Sequence, residues 1–346
     1  GKCHRKGQKA ANRYHGADAG MVESYNESIH GKGLLESGLT VTATCTNCHT
    51  AHGELPAADP ASTVNRKNLP NTCAQCHRGI YELYENSIHS PSVSKSDKRL
   101  PTCSDCHTAH AIARTDQSNF KLTIMTQCGT CHEDIAERYF DTYHGKVSTL
   151  GYVKTAKCYD CHGAHDILPT WNPKSHLSRG NIVKTCGQCH PGSNRRFAGY
   201  LTHATHHDKA KYPFLFYTFW AMTGLLVMTF SMAGLHTLAW LPRSLQYRRQ
   251  LQQSEAQHPD QKYVRRFTLF YSRLHLMVIV SFLGLAITGM TLKFSYAGWA
   301  RVLARVFGGF ETAGTVHRVC AVITFLYFGL HIWDLLRRKR PEAGGL

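Results

Sequence analysis

Thirteen cysteines and eighteen histidines lie in the first 208 of the chain's 346 residues. Their spacing is the feature of the sequence that most clearly indicates a chemical role. Six segments read Cys-x-x-Cys-His, and the opening Gly-Lys-Cys-His reads as the end of a seventh. Two thiols at this spacing can each form a thioether with one porphyrin, and the adjacent imidazole then faces its iron. The pattern predicts seven c-type haems. The predicted attachment residues are Cys3, Cys45, Cys48, Cys73, Cys76, Cys103, Cys106, Cys128, Cys131, Cys158, Cys161, Cys186 and Cys189. The predicted proximal iron ligands are His4, His49, His77, His107, His132, His162 and His190.

A Cys-x-x-Cys pair alone also occurs in zinc sites, redox-active thiols and disulfides. Neither zinc nor disulfide chemistry explains why a histidine follows the second cysteine of every motif. The six complete motifs therefore favour haem attachment over both alternatives. The first motif lacks its first cysteine, so we expect further residues, including any secretory signal, upstream of Gly1.

A second set of histidines could supply the other axial ligand, because low-spin electron-transfer haems bind two. The motifs alternate between two kinds. One is followed by a helical stretch that ends in a histidine, and the other by a histidine three residues after the proximal one. The predicted distal ligands are His30, His89, His144 and His203 of the first kind, and His52, His110 and His165 of the second. The spacing leaves open which iron each of them serves. The leftover histidines, expected to be solvated or hydrogen-bonding, are His15, His176, His206 and His207, of which the last two could replace His203.

A segment of about 200 residues that holds seven haems cannot also bury an ordinary apolar core, so the porphyrins must form much of it. We expect residues 1–208 to form a seven-haem domain of short helices and extensive loop, with little or no sheet, that unfolds without haem. Haem propionates would offset much of the formal charge of +17. The basic residues are scattered, so nucleic acid is not an expected partner.

The remaining residues, 209–346, turn apolar and predict a bundle of membrane-spanning helices. The predicted spans are 212–241, 267–292 and 312–334, each long enough to cross the hydrocarbon core. The alternative, buried core helices of a soluble domain, does not explain the basic loops between them. The connection at 242–266 and the C-terminal tail hold more arginine and lysine than the loop between the second and third spans. By the positive-inside rule they are cytoplasmic, which places the haem domain on the outer side.

Ionisable residues inside membrane spans are candidates for function. We predict that His275, His317 and His331 bind haem b iron and that Arg273 and Arg318 pair with haem propionates. His317 and His331 are fourteen residues apart, about 21 Å along one helix face, which suits two haems stacked across a bilayer. The alternative for each histidine is a hydrogen bond within the bundle or a contact with a quinone. We favour that alternative for His236, and we expect Cys320 to have a packing role.

The second and third spans carry YSRLHLMVIVSFLGLAITGMTLKF and VHRVCAVITFLYFGLH, with an R-x-H near the start of a span and a T-G pair. These segments resemble the cytochrome b subunits of membrane-bound formate dehydrogenases and nickel–iron hydrogenases. The whole arrangement resembles the inner-membrane quinol-oxidising cytochromes of metal-respiring bacteria. The resemblance implies haem b between helices, electron exchange with menaquinone, and a bacterial inner membrane with the c-haem domain in the periplasm. His317 has no partner at the outer side among the three spans unless His206 or His207 reaches it, so we expect further helices beyond Leu346 or in another subunit. The sequence also departs from that family because the family's last ligand-bearing helix is absent.

Three functions are consistent with these features. The first is a quinol dehydrogenase that passes electrons from menaquinol through one or two b haems and seven c haems to periplasmic or extracellular acceptors. The second is a passive electron-relay subunit of a larger respiratory complex, with other cytochromes or subunits as partners. The third, a catalytic multihaem reductase, needs an iron with an open position, and seven candidate distal histidines for seven irons disfavour it. The sequence leaves the direction of electron flow and the final acceptor open.

Overall fold

The computed structural model describes residues 2–13, 20–200, 203–257 and 267–338, so His15 lies outside the described residues. In these ranges the regular elements are helices and no strand is present, which confirms the predicted fold class. The chain divides into two compact units, residues 1–202 and residues 203–346. The division falls a few residues before the boundary expected at 208.

Short helices separated by loops make up the described part of the first unit. It begins with a 3-10 helix at Lys2–His4. The α-helices are α1 Lys9–Arg13, α2 Met21–Glu27, α3 Ile29–Leu35, α4 Cys45–His49, α5 Leu69–Ala74, α6 Arg78–Glu85, α7 Cys103–His107, α8 Ser118–Gly129, α9 Glu133–Asp141, α10 Tyr143–Thr149, α11 Cys158–His162, α12 Ile182–Gly187 and α13 Arg195–Ala198.

The first unit has very little buried apolar surface. Among its described residues, the buried apolar side chains are Ala11, Ala74, Met125, Tyr139 and Val147. An apolar core of ordinary size would bury several times as many side chains in a domain of this length. The protein part of this unit therefore cannot supply the hydrophobic stabilisation that a folded domain needs.

The second unit contains α14 Pro213–Gln257, α15 Leu269–Lys293, α16 Gly298–Val306 and α17 Phe310–Arg338. Three of these, α14, α15 and α17, are long and apolar enough to cross a membrane. The fourth, α16, is short and lies between the two later spans. Its Ala300 and Ala304 are buried, while Arg301 and Arg305 are exposed.

The first long helix does not end where the sequence predicted. A connection was expected from residue 242, but α14 continues through Pro242 to Gln257. Proline removes one backbone hydrogen bond from a helix, and the residues after it are mostly arginine, leucine, glutamine and other good helix formers. At 45 residues the helix is about 67 Å long, roughly twice the hydrocarbon thickness, so its basic end extends beyond the apolar layer.

Helices α15 and α17 run antiparallel and pack closely through small side chains. Tyr271 donates to Asp334 Oδ2 over 2.6 Å near one end of the pair. Toward the middle, a β-carbon placed on Gly284 would overlap Cys320 Sγ. Cys320 is itself buried, in agreement with its expected packing role. The separation of the two helices is thus limited by a glycine on one and a small side chain on the other, as is common in membrane helix pairs.

Substitution of Gly284 tests this packing. We expect Gly284→Ala to destabilise the pairing of α15 with α17 by about 1–3 kcal/mol, because the new methyl group meets the Cys320 thiol. Cys320→Ala in the same chain should restore most of the loss. Thermal unfolding of the purified chain in detergent measures both effects.

Gly329→Ala on α17 is the matched control, since a β-carbon there meets nothing within 4 Å. It should change stability by less than about 0.5 kcal/mol. Equal effects of Gly284→Ala and Gly329→Ala would contradict the packing described here.

Candidate haem centres

The seven Cys-His motifs are numbered here by their proximal histidines, from motif 1 at His4 to motif 7 at His190. Motifs 2, 4 and 6 each form a helix of five residues, namely α4, α7 and α11. The backbone N–H of the residue before each helix donates to the side chain of the residue three positions later. The acceptors are Asn47 Oδ1 at 2.8 Å, Asp105 Oδ2 at 2.6 Å and Asp160 Oδ2 at 2.8 Å. This cap holds the two cysteines and the proximal histidine of each motif on one rigid turn.

The residue after the proximal histidine ends each of these turns in a left-handed conformation. Thr50, Thr108 and Gly163 have φ of 70°, 65° and 86°. Such angles are strained for threonine and unstrained for glycine. The chain turns abruptly at this residue and reaches the second histidine three residues after the proximal one. The left-handed residue therefore accounts for the short spacing between the two histidines in motifs 2, 4 and 6.

Motifs 3, 5 and 7 are built differently, at the C-terminal ends of α5, α8 and α12. In each, the backbone N–H of the proximal histidine donates to the carbonyl of the first cysteine. The N···O distances are 2.9 Å for His77, 3.0 Å for His132 and 2.9 Å for His190. After motifs 3 and 5 the chain enters a new helix, α6 or α9, that leads to the next predicted distal histidine.

The structure brings five of the predicted distal histidines against five of the predicted proximal ones. The distances between ring centroids are 6.2 Å for His30–His77, 6.1 Å for His49–His110, 6.3 Å for His89–His132, 6.0 Å for His107–His165 and 6.1 Å for His144–His190. Direct stacking of two rings would place the centroids closer, and unrelated pairs would not share one distance. The five pairs therefore share a geometric cause.

A metal ion between the two rings accounts for this distance. An imidazole nitrogen lies roughly 2 Å from a bound metal, and the ring centre lies ~1 Å further back, so two axial imidazoles have centres about 6 Å apart. The spacing fits an iron held from both sides. Each proximal histidine also follows two thiols that can attach one porphyrin. The side chains of these five sites thus fit a c-type haem.

The pairing follows a rule that joins motifs two positions apart. The histidine that follows motif 1, 3 or 5 faces the next odd motif along the chain, as in His30 with His77. The histidine that follows motif 4 or 6 faces the preceding even motif, as in His110 with His49. The odd and even motifs therefore form two interleaved series that run in opposite directions along the chain.

The two series also differ in the relative orientation of the rings. The planes are nearly parallel in the even series, at 6° for His49–His110 and 11° for His107–His165. They are tilted in the odd series, at 33°, 36° and 43° along the chain. Distal histidines that follow a short turn therefore lie nearly parallel to their proximal partners, whereas those that follow a helical stretch are tilted.

Burial favours the neutral form, which is the form that binds a metal, in six of the ten histidines of these pairs. Burial lowers the pKa of these six, since the charged form loses hydration, and a neighbouring histidine lowers most of these pKa values further. For His49 and His165 a nearby carboxylate, of Glu54 or Asp166, partly opposes the effect of burial on the pKa. The six are His30, His49, His89, His107, His144 and His165.

Successive motifs are also neighbours in space, as their thiols show. The thiols of Cys73 in motif 3 and Cys103 in motif 4 are close enough to shift each other's pKa, which rises for Cys73 and falls for Cys103. Burial raises the pKa of Cys106 in motif 4 to about 11, and Cys128 in motif 5 contributes to the rise. The thiols of Cys128 and Cys158 shift each other's pKa in the same way, which places motif 5 beside motif 6.

The remaining steps complete the row. Burial raises the pKa of Cys161 in motif 6 to about 11, and the motif 7 thiols of Cys186 and Cys189 are among the groups that contribute. At the other end, Cys48 of motif 2 interacts with Cys76 of motif 3. His49 of motif 2 interacts electrostatically with His4 of motif 1. The seven motifs therefore follow one another in space in the order of the sequence.

Three tyrosines that were not predicted to have a role hold the segments that carry the odd-series distal histidines. Each lies five residues before a distal histidine. Its hydroxyl donates to the carbonyl two residues before the first cysteine of the next even motif. The bonds are Tyr25 to Ala43 at 2.9 Å, Tyr84 to Pro101 at 3.1 Å and Tyr139 to Ala156 at 2.8 Å. The signal was present in the sequence as a tyrosine repeated at intervals of 59 and 55 residues. Each tyrosine ties the segment of one series to a motif of the other.

The other predicted ligands are placed as follows. His162 is the proximal histidine of α11 and, with His4, is not part of the five pairs. His52 is exposed, and among the described residues it is not stacked on a proximal histidine. His176 Nε2 lies 2.8 Å from Asp166 Oδ2, as expected for a hydrogen-bonding histidine.

Three of the predicted histidines belong to the start of the second unit. His203 is partly buried. The ring of His206 contacts those of His207 and Phe219, with centroid distances of 3.9 Å and 3.7 Å. The role of His203 as a distal ligand, with His206 or His207 as its replacement, stays a prediction.

The membrane unit places its predicted ligands at two levels. The ring of His331 lies 6.1 Å from that of Tyr271, near the end of the helix pair where Tyr271 bonds Asp334. His275 lies one turn from Tyr271 and is exposed. His317 lies toward the other end, with its Nδ1 2.8 Å from Thr288 Oγ1.

Three further residues of the membrane unit had predicted roles. Arg273 and Arg318, predicted to pair with propionates, are both exposed, and Arg318 donates to Thr315 Oγ1 over 3.0 Å. His236 contacts Trp240, with ring centroids 6.3 Å apart. The roles of these residues remain predictions.

Comparison with known proteins gives a distant similarity. The chain is 23% identical over 196 residues to a protein from Shewanella baltica (strain OS185) named multiheme cytochrome MtrA. The match covers 54% of this chain and 50% of the relative, so the chain spans about half of that protein's length. No family model and no solved structure matches the chain.

Tyr139→Phe tests the tyrosine that ties the two series together. The change leaves the Ala156 carbonyl without its hydroxyl donor, so we expect a loss of about 1–3 kcal/mol in the free energy of unfolding. Denaturant unfolding followed by circular dichroism measures the loss. Tyr200→Phe, at an exposed position, is the control and should change stability by less than about 0.5 kcal/mol. Equal stability of the two variants would contradict the proposed tie.

Proposed function

We propose that the chain is a membrane-anchored multihaem c-type cytochrome that carries electrons along its first unit between the membrane and acceptors outside it. The observation that carries the proposal is the common spacing of about 6 Å between five pairs of histidine rings. Bound haem would supply one-electron redox chemistry, and the chain's own residues hold it and set its surroundings. The similarity to a protein named a multiheme cytochrome supports the same function.

In this proposal the attachment thiols, the proximal histidines and the distal histidines take the roles predicted from the sequence, and five of the seven distal histidines are proposed for particular irons. His30, His110, His89, His165 and His144 serve motifs 3, 2, 5, 4 and 7, respectively. Two imidazoles per iron leave no open position for a substrate at these five sites. The first unit therefore acts as an electron conduit, and a catalytic reductase is the less favoured function.

The row of neighbouring motifs supports conduction along the whole unit. Each motif has thiols or a histidine within electrostatic reach of the next, from motif 1 to motif 7. Since the thioethers form at the porphyrin edge, neighbouring thiols would bring neighbouring porphyrin edges together. The chain thus holds its sites in an unbroken sequence.

The second unit is proposed to connect this row to a quinone pool. His275, His317 and His331 would hold one or two b haems, with Arg273 and Arg318 near the propionates, and menaquinone would exchange electrons there. His317 lies toward one end of the α15–α17 pair and His331 toward the other, which supports two sites at different depths. The distribution of arginine and lysine supports a bacterial inner-membrane location with the c haems in the periplasm. Quinones and other cytochromes or respiratory subunits would be its partners.

The crossed pairing of motifs 2 and 4 gives a direct test of the ligand assignments. His110→Ala should leave one iron five-coordinate and high-spin, and that iron should belong to motif 2, because His110 faces His49. Removal of the motif 2 haem through Cys45→Ser and Cys48→Ser should abolish the high-spin signal of His110→Ala. Low-temperature electron paramagnetic resonance of the oxidised protein counts the high-spin irons.

The matched control removes the haem of motif 4, which is nearer to His110 in sequence. Cys103→Ser and Cys106→Ser in the His110→Ala chain should leave the high-spin signal in place, with six haems counted by mass. The reverse pattern, loss of the signal with motif 4 and retention with motif 2, would show that His110 serves the haem next to it in sequence.

Reduction by quinol distinguishes a quinol dehydrogenase from a passive electron-relay subunit. We expect a reduced menaquinone analogue to reduce the haems of the isolated chain in detergent, with absorbance changes in the haem α-bands as the measurement. A variant that ends at residue 208, and so keeps His203, His206 and His207, should stay oxidised under the same conditions. Lack of reduction in the full chain would favour a passive relay subunit that receives electrons from another protein.

A further inference from the structure

The contact between Thr288 on α15 and His317 on α17 has a consequence for metal binding. His317 Nδ1 lies 2.8 Å from Thr288 Oγ1, and Thr288 is 6% exposed. Small residues lie beside this contact. A β-carbon on Gly289 would stand 3.8 Å from His317 Cε1, and Gly284 approaches Cys320 one turn further along both helices.

The direction of this hydrogen bond follows from the single proton of the threonine hydroxyl. Thr288 Oγ1 also lies 2.6 Å from the carbonyl oxygen of Gly284. A carbonyl can only accept, and two oxygens at this distance repel unless a proton lies between them. The Thr288 hydroxyl therefore donates to Gly284, so it must accept a proton from His317 Nδ1.

We infer that Thr288 is a positioning residue that holds His317 in the Nδ1–H tautomer and leaves the Nε2 lone pair for haem iron. This inference rests on the proposed b-haem function and adds a residue that orients its ligand. A neutral imidazole that donates one ring N–H to a fixed acceptor has both its tautomer and its ring orientation set. The acceptor also makes the imidazole a stronger electron donor toward the metal.

The same helix provides a comparison residue. Thr291 is one turn beyond Thr288, is 1% exposed, and its hydroxyl donates to the Ile287 carbonyl over 2.8 Å. Thr288 and Thr291 thus share burial and the bond to the preceding turn, which threonine commonly forms in helices. Only Thr288 has a hydrogen bond to a histidine among the described contacts of the two. A general structural role of buried threonine would be common to both.

The experiment compares three variants of the full chain in isolated membranes: Thr288→Val, Thr288→Ser and Thr291→Val. Pyridine haemochrome spectra count b and c haems separately, and redox titration gives the midpoint potential of the b haem. We expect Thr288→Val to weaken b-haem retention about 10- to 100-fold, the usual effect of losing a partner of a metal ligand. Any b haem retained should titrate at a higher potential, because the weaker donor stabilises the oxidised iron less. The serine variant should restore both quantities, and Thr291→Val should match the wild type.

Two outcomes would overturn the inference without affecting the proposed function. One is wild-type retention and potential of b haem in Thr288→Val. The other is an equal change in Thr288→Val and Thr291→Val, which would show a packing effect alone. A wild-type chain that carries c haem but no b haem would overturn both the b-haem proposal and the role of Thr288. Unchanged c-haem content serves in every variant as the check that the chain has folded.

Discussion

The geometry of the first unit depends on one constraint: two imidazole rings must face each other with centres about 6 Å apart, and they come from segments far apart in the sequence. His30 and His77, or His107 and His165, are brought together although each belongs to a different stretch of the chain. With few buried apolar side chains to stabilise it, this unit depends on such cross-connections. Metal binding and folding are then coupled, because a ligand pair that spans two segments holds those segments in place.

The two units position their candidate ligand histidines in different ways. In the first, capped turns and helix ends present histidines from loops, and tyrosine hydroxyls such as that of Tyr139 hold neighbouring segments in register. In the second, the backbone is already fixed by helices, so small residues decide how closely α15 and α17 approach. Gly284 and Thr288 on one helix meet Cys320 and His317 on the other. A histidine in that setting is oriented by its packing partner and not by a loop.

The sequence was sufficient for the fold class and for the positions of the three apolar helices, because hydropathy and helix length follow directly from composition. The two kinds of motif also marked five histidines that lie against a proximal histidine, while His52 and His203, predicted in the same way, are not among the five pairs. The sequence could not assign His110 to His49, since that pairing depends on how the loops cross in three dimensions. The continuation of α14 through Pro242 was missed because a membrane helix tolerates a proline that a local rule treats as an end. The repeated tyrosines were visible as a pattern, but their acceptors are backbone carbonyls that no sequence pattern marks.

We propose that imidazoles from motifs two positions apart bind the same iron from both sides. Near-infrared magnetic circular dichroism of the oxidised protein reports the axial ligands of low-spin haem directly. The bands of bis-imidazole ligation should represent at least five irons per chain. A spectrum dominated by histidine–methionine ligation, or by high-spin iron, would contradict the proposal.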